Sequence, residues 1–158
     1  MRWGKYFRFI FLVWRMSVDI LNLIKSEHDR LRQRISSILE SKNKTNKNFF
    51  TAFIKELSIH FQIEKDYIYP EAQAIFTVSS WVQKEQANQE YILNQLENLD
   101  ISTCDNKLLE DLISKIKQHF TAEEDLLMPR FRSSMSFDQR EEFGEALMDY
   151  QQELMQSV

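Results

Sequence analysis

Glycine and proline are nearly absent from this chain, with two of each in 158 residues. Sheet proteins need turn residues every 8 to 12 positions or so, and this sequence cannot supply them. Long helices can do without them, so the scarcity predicts an all-α fold. Cys104 is the single cysteine, which excludes a disulfide framework and any thiolate zinc site and fits a reducing compartment, the cytoplasm. Basic residues form no long run inside the domain and the net charge is −4, so nucleic-acid binding has no electrostatic support. Nor is there a glycine-rich phosphate loop, a serine elbow or an activated cysteine. Histidine is also rare, at three residues, and their placement carries the rest of the argument.

The composition is otherwise that of a folded domain: 43% apolar and 28% charged, with length enough for about one domain. Residues 1–16 stand apart. "MRWGKYFRFIFLVWR" carries Arg2, Lys5, Arg8 and Arg15, no acid, and an apolar run from Phe9 to Trp14 too short to span a bilayer. Two readings stand: residues 1–15 lie on an anionic membrane surface, or translation starts at Met16 with Ser17 as the first helix cap. Helix 1 is expected from Ser17 to about Ser41, followed by a polar loop, "SKNKTNKN" (41–48). Helix 2 is expected to close at Pro70, helix 3 to run from Ser79 or Ser80 to about Leu99, and helix 4 to end at Pro129. Ser136 and Gln139 form a capping box that opens a short terminal helix. Short loops imply an antiparallel up-down-up-down four-helix bundle over residues 17–133, with residues 134–158 as the terminal helix.

Two segments repeat. "HFQIEKDYIYP" (60–70) and "HFTAEEDLLMP" (119–129) share His-Phe, Glu at +4, Asp at +6 and Pro at +10. An i, i+4 spacing places His60 with Glu64, and His119 with Glu123, on one helix face. Phe53, Leu57, His60 and Glu64 form one apolar stripe, and Leu112, Ile116, His119 and Glu123 form another at the same offsets. In helix 1, His28 shares a stripe with Ile24, Leu31, Ile35 and Ile38. A lone histidine on such a stripe is ordinarily a core residue. Three imidazoles and two carboxylates turned inward together would be costly without compensation, and a metal ion supplies it. Mixed nitrogen and oxygen donors without thiolate favour non-haem iron over zinc.

"EHDRLRQRI" (27–35) and the two repeats together resemble the hemerythrin-like (HHE cation-binding) family over roughly residues 17–133. The resemblance implies two irons enclosed by the bundle, bridged by Glu64 and Glu123, with His28 and His60 on one iron and His119 on the other. It also implies binding, reduction or sensing of O2, peroxide or nitric oxide. The sequence departs from the family in lacking a helix-3 histidine. Matching the two halves aligns "EH" (27–28) with "EQ" (85–86), so Gln86 takes that place, with Glu90 one turn further on. A rival register brings Tyr91 to the metal instead. Other readings are a single-metal bundle, a metal-stabilised interaction or sensor module, and iron storage, which needs an oligomer that sequence does not reveal. Phe143, Leu147, Tyr150 and Leu154 share one face of the terminal helix, which is expected to dock on its own bundle.

Overall fold

The computed structural model of the chain describes residues 18–40, 47–103 and 105–157. The segment 1–16, the Ser17 cap and most of the 41–48 loop lie outside the described residues. Among the described residues the structure is helical, with no strand: α1 (Ile20–Glu40), α2 (Lys47–Ile63), a π-helical turn (Glu64–Ile68), α3 (Tyr69–Ile75), α4 (Ser79–Glu97), α5 (Asn106–Ser134) and α6 (Phe137–Ser157). None of these helices is long and apolar enough to cross a membrane.

Local chemistry explains most of the ends. Asp19 caps α1, its Oδ1 accepting from the Leu21 amide at 2.9 Å. Asp105 caps α5 through the Lys107 amide at 2.9 Å. The capping box before α6 forms as the sequence predicts, with Gln139 Oε1 accepting from the Ser136 amide at 2.8 Å and Ser136 Oγ from the Gln139 amide at 3.2 Å.

Neither proline ends its helix. Pro129 lies within α5, on an exposed position, where the loss of one amide donor does not strand a buried group. Pro70 follows the π turn and lies in the first turn of α3, with the backbone before it helical. The turn is closed by the Tyr69 amide bonding to the Glu64 carbonyl, an i to i−5 bond. The terminal helix is also not short: α6 has 21 residues, as many as α1.

The core divides into two apolar clusters. One holds Leu31, Ile35, Phe53, Leu57, Ile92, Leu96, Ile116 and Phe120. The other holds Ile24, Ile63, Ile68, Val82, Leu127, Phe131 and, from α6, Leu147. Each fully buried Leu or Phe contributes roughly 1.5–3 kcal/mol. Together they support a layer of polar side chains lying between them: His28, His60, Glu64, Glu85, Gln89, His119 and Glu123 are all buried. The helix α6 packs against α1 and α2. Its Gly144 lies so close to the start of α1 that a Cβ there would sit 1.8 Å from the Val18 carbonyl oxygen. Arg140 Nε donates to Asp19 Oδ2 at 2.9 Å, tying α6 to the cap of α1.

Candidate metal centre

His28 comes from α1, His60 and Glu64 from α2 and the π turn, and His119 and Glu123 from α5. The five residues meet in the buried layer. His60 Nε2 lies 2.6 Å from Glu64 Oε1, and His28 Nε2 lies 3.8 Å from the same oxygen and 3.4 Å from Glu123 Oε2. His119 Nε2 lies 3.2 Å from Glu64 Oε2 and 3.7 Å from Glu123 Oε1. Each glutamate therefore turns one oxygen toward the His28–His60 pair and the other toward His119.

Every imidazole is held from behind. The Nδ1 atoms of His28, His60 and His119 face Glu124 at 2.8 Å, Glu27 at 3.4 Å and Glu85 at 2.8 Å. A carboxylate on Nδ1 fixes the ring so that Nε2 points into the layer, the usual support for a metal-binding histidine. Arg32 steadies Glu124 at 2.7 Å. Phe120 stacks on the His28 ring at 4.4 Å between centroids.

In the metal-free layer the imidazoles and carboxylates shift one another's protonation. Burial by itself would depress each imidazole pKa, but the facing carboxylates override it: Glu64 and Glu27 raise His60 to about 9. His28 rises through Glu123 and Glu64, and His119 well above its ordinary value through the same two and Glu85. Burial would raise Glu64, yet His60 and His119 hold it well below the ordinary carboxylate range. Burial and the charge of Glu64 push Glu123 up. Burial, with Glu123 and Glu64 beside it, also pushes the Tyr69 phenol up, so it stays a donor.

The donor set fits a metal ion. One ligand atom each from His28, His60, Glu64 and Glu123 all lie within 4.8 Å of one another, close to the ~4.2 Å that opposite donors span around an ion with bonds of about 2.1 Å. His28 Nε2, His60 Nε2 and Glu64 Oε1 are buried without a hydrogen-bond partner; the short His60–Glu64 approach lacks hydrogen-bond geometry. Buried polar atoms are almost always paired, and three orphans converging on one point are what a cation would satisfy.

The structure does not bring Gln86, Glu90 or Tyr91 into the layer. Tyr91 is 46% exposed, under Lys115, whose Nζ lies 5.8 Å from the ring centroid; Glu90 is exposed and Gln86 half-buried. The inward stripe of α4 is Val82, Glu85, Gln89, Ile92 and Leu96. The aligned pairs "EH" and "EQ" do match at their glutamates, since Glu27 and Glu85 each hold the histidine of the following site helix. The match fails one residue later, where ~100° of helix rotation turns Gln86 away. Gln89 takes the inward place, its Nε2 donating to Glu64 Oε2 at 2.5 Å and to Tyr69 Oη at 2.8 Å. Sequence reasoning also missed the three glutamates behind the histidines, although Glu27 and Glu124 are neighbours of His28 and Glu123. It missed Tyr69, whose Oη donates to Glu123 Oε1 at 2.8 Å.

A buried layer of imidazoles and carboxylates, carried on helices and walled by apolar clusters, defines a metal-binding helical bundle. Residues 19–130 match the family described as the Hemerythrin HHE cation binding domain, and the chain belongs to that family. No curated protein and no solved structure gave a significant match.

Proposed function

We propose that this chain is a non-haem iron protein that binds and reduces a small oxidant: O2, peroxide or nitric oxide. The observation that carries the reading is the convergence of His28 Nε2, His60 Nε2 and Glu64 Oε1, buried and without hydrogen-bond partners. Nitrogen and carboxylate donors without thiolate suit iron better than a soft metal. His28, His60, Glu64 and Glu123 would hold it. When bound, iron supplies redox chemistry and a coordination position for the oxidant. The protein's part is to fix the imidazoles through Glu124 and Glu27 and to keep bulk water out with the two apolar clusters.

A cleft of about 170 Å³ between α2 and α4 is lined by Ser58, Phe61, Gln62, Gln86 and Leu93 and reaches Gln89 on the His119 side of the buried layer. The reading takes α1, α2 with α3, α4 and α5 as an antiparallel up-down-up-down bundle, for which the short connections 76–78 and 98–105 speak.

Elemental analysis of the purified chain, with its near-ultraviolet and visible spectrum before and after peroxide or nitric oxide, tests the reading. Bound iron whose spectrum changes with the oxidant is expected. Zinc alone, or no metal, would overturn it. Iron that is bound but inert would favour a sensor module, for which the contact of Gln151 in α6 with Glu27 at 2.6 Å offers a route from the site to the outer helix.

A further inference from the structure

The two ends of the Glu64–Glu123 pair differ. Toward His28 and His60, the donors are close together and three of them lack hydrogen-bond partners. Toward His119, the carboxylate oxygens already have partners. Gln89 Nε2 donates to Glu64 Oε2 at 2.5 Å, Tyr69 Oη donates to Glu123 Oε1 at 2.8 Å, and Gln89 Nε2 also donates to Tyr69 Oη at 2.8 Å. Gln89 Nε2 comes within 3.4 Å of His119 Nε2 as well.

We propose that the chain binds one metal ion, through His28, His60, Glu64 and Glu123, and that Tyr69 and Gln89 fill the position beside His119 where a second ion would sit. The proposal rests on the metal-binding reading above and sets its stoichiometry.

The chemistry of Gln89 and Tyr69 argues for filling rather than ligation. An amide oxygen placed 2.5 Å from Glu64 Oε2 would meet a carboxylate oxygen lone pair to lone pair, so the nitrogen must face it. An amide nitrogen has no lone pair to give a cation. The phenol of Tyr69 gives its proton to Glu123 Oε1, the oxygen a second ion would need. A second ion would therefore have to break three buried hydrogen bonds and find an imidazole from His119 alone. At the first position His28 Nε2, His60 Nε2 and Glu64 Oε1 have no hydrogen bond to give up, and His60 has only to release its proton.

The π turn accounts for Tyr69 being there. In an uninterrupted α-helix, Tyr69 would lie ~180° around the axis from His60. The extra residue in the Glu64–Ile68 turn shifts the following chain by about one residue, ~100°, and brings Tyr69 back to the side of His60 and Glu64, fully buried. The second copy of the repeat has no such turn, and its matching residue, Met128, is only partly buried against the cluster that holds Leu127 and Phe131.

The test is anaerobic loading of the metal-free full chain with ferrous iron, counting bound iron after desalting and recording electron paramagnetic resonance after oxidation. One iron per chain is expected, with the signal of an isolated ion. Ligand loss in His28→Ala should weaken binding by more than about a hundredfold, while His119→Ala, which removes a direct partner of Glu64, should weaken it by about 10–100-fold. The double variant Tyr69→Phe, Gln89→His should bind a second iron. Two irons in the unaltered chain would overturn the proposal and leave the iron reading standing; no iron would overturn both. A single iron lost in His119→Ala but kept in His28→Ala would also overturn it, as would a double variant that still binds one. A visible phenolate-to-iron band abolished by Tyr69→Phe would make Tyr69 a ligand and refute its role as filler.

Discussion

Gln151, in the last helix, donates to Glu27 Oε1 at 2.6 Å, while the other oxygen of Glu27 faces His60 Nδ1 at 3.4 Å. A side chain 124 positions away in sequence thus helps orient a carboxylate that orients a candidate ligand. The helix α6 is part of the site's support and not only its cover.

Gln151→Ala should therefore loosen the Glu27–His60 pair without touching the donors. Removing an outer-shell partner of a ligand costs 10–100-fold in affinity, and Gln151 is one step further out, so a loss of about three- to tenfold is expected. Stability should fall by no more than about 1 kcal/mol. Competitive metal titration and thermal melts measure both; unchanged affinity beside a large loss of stability would mean that the contact only holds α6 in place.

The pH dependence should reverse with metal. In the metal-free chain His60 is raised from 6.5 to about 9 by Glu64 and Glu27 against the opposing effect of burial. A group whose pKa is higher in the folded state contributes stability that is complete below its unfolded pKa and lost as pH rises through the folded one. Stability of the metal-free chain should thus decline between about pH 6.5 and 9, by up to ~3 kcal/mol from His60. Metal needs the neutral imidazole, so affinity should rise over the same window. Denaturant melts of metal-free protein that are flat or improve from pH 6.5 to 9 would contradict this picture of the layer.

How far the sequence could be read depended on which helix carried the signal. The stripes of α1, α2 and α5 alternate apolar and polar residues cleanly, so His28, His60, Glu64, His119 and Glu123 were legible as one inward set. In α4 the inward stripe contains Glu85 and Gln89, whereas Leu93 and Leu99 are only partly buried beside it. Apolar side chains there cover the edges, and the pattern of leucines favours Gln86 by one residue. The stripe through Val82, Glu85, Gln89, Ile92 and Leu96 has the same spacing and was available. Tyr69 was not, because a π turn cannot be seen in a 3.6-residue period. Two copies of one motif concealed two different backbones.

The close approach of Gly144 in α6 to Val18, just before α1, gives a stability prediction. A Cβ on Gly144 would sit 1.8 Å from the Val18 carbonyl oxygen and 3.0 Å from its carbon. Both are backbone atoms, so relief requires moving α6 rather than turning a side chain. Gly144→Ala should cost about 1–3 kcal/mol, despite alanine's better helix propensity. That corresponds to roughly 2–4 °C in melting temperature for each kcal/mol in a chain of this size. A variant as stable as the parent would show that α6 docks more loosely than this contact implies.

His60 and Glu64 supply the last expectation, since their facing atoms are 2.6 Å apart and both are buried. In the metal-free chain the imidazole is charged through Glu64, and Glu64 is held ionised chiefly by His60. His60→Ala leaves a buried carboxylate with less compensation; Glu64→Gln leaves His60 without its nearest counter-charge. Either change alone should cost about 3 kcal/mol or more, because it strands a buried charge. Once one partner is gone the other is a liability, so the double variant should be less destabilised than the sum by about 1–3 kcal/mol. Iron binding should be lost in all three. A double-mutant cycle in urea, run on metal-free protein, measures the coupling, and strict additivity would mean that the two residues are packed side by side without forming a functional pair.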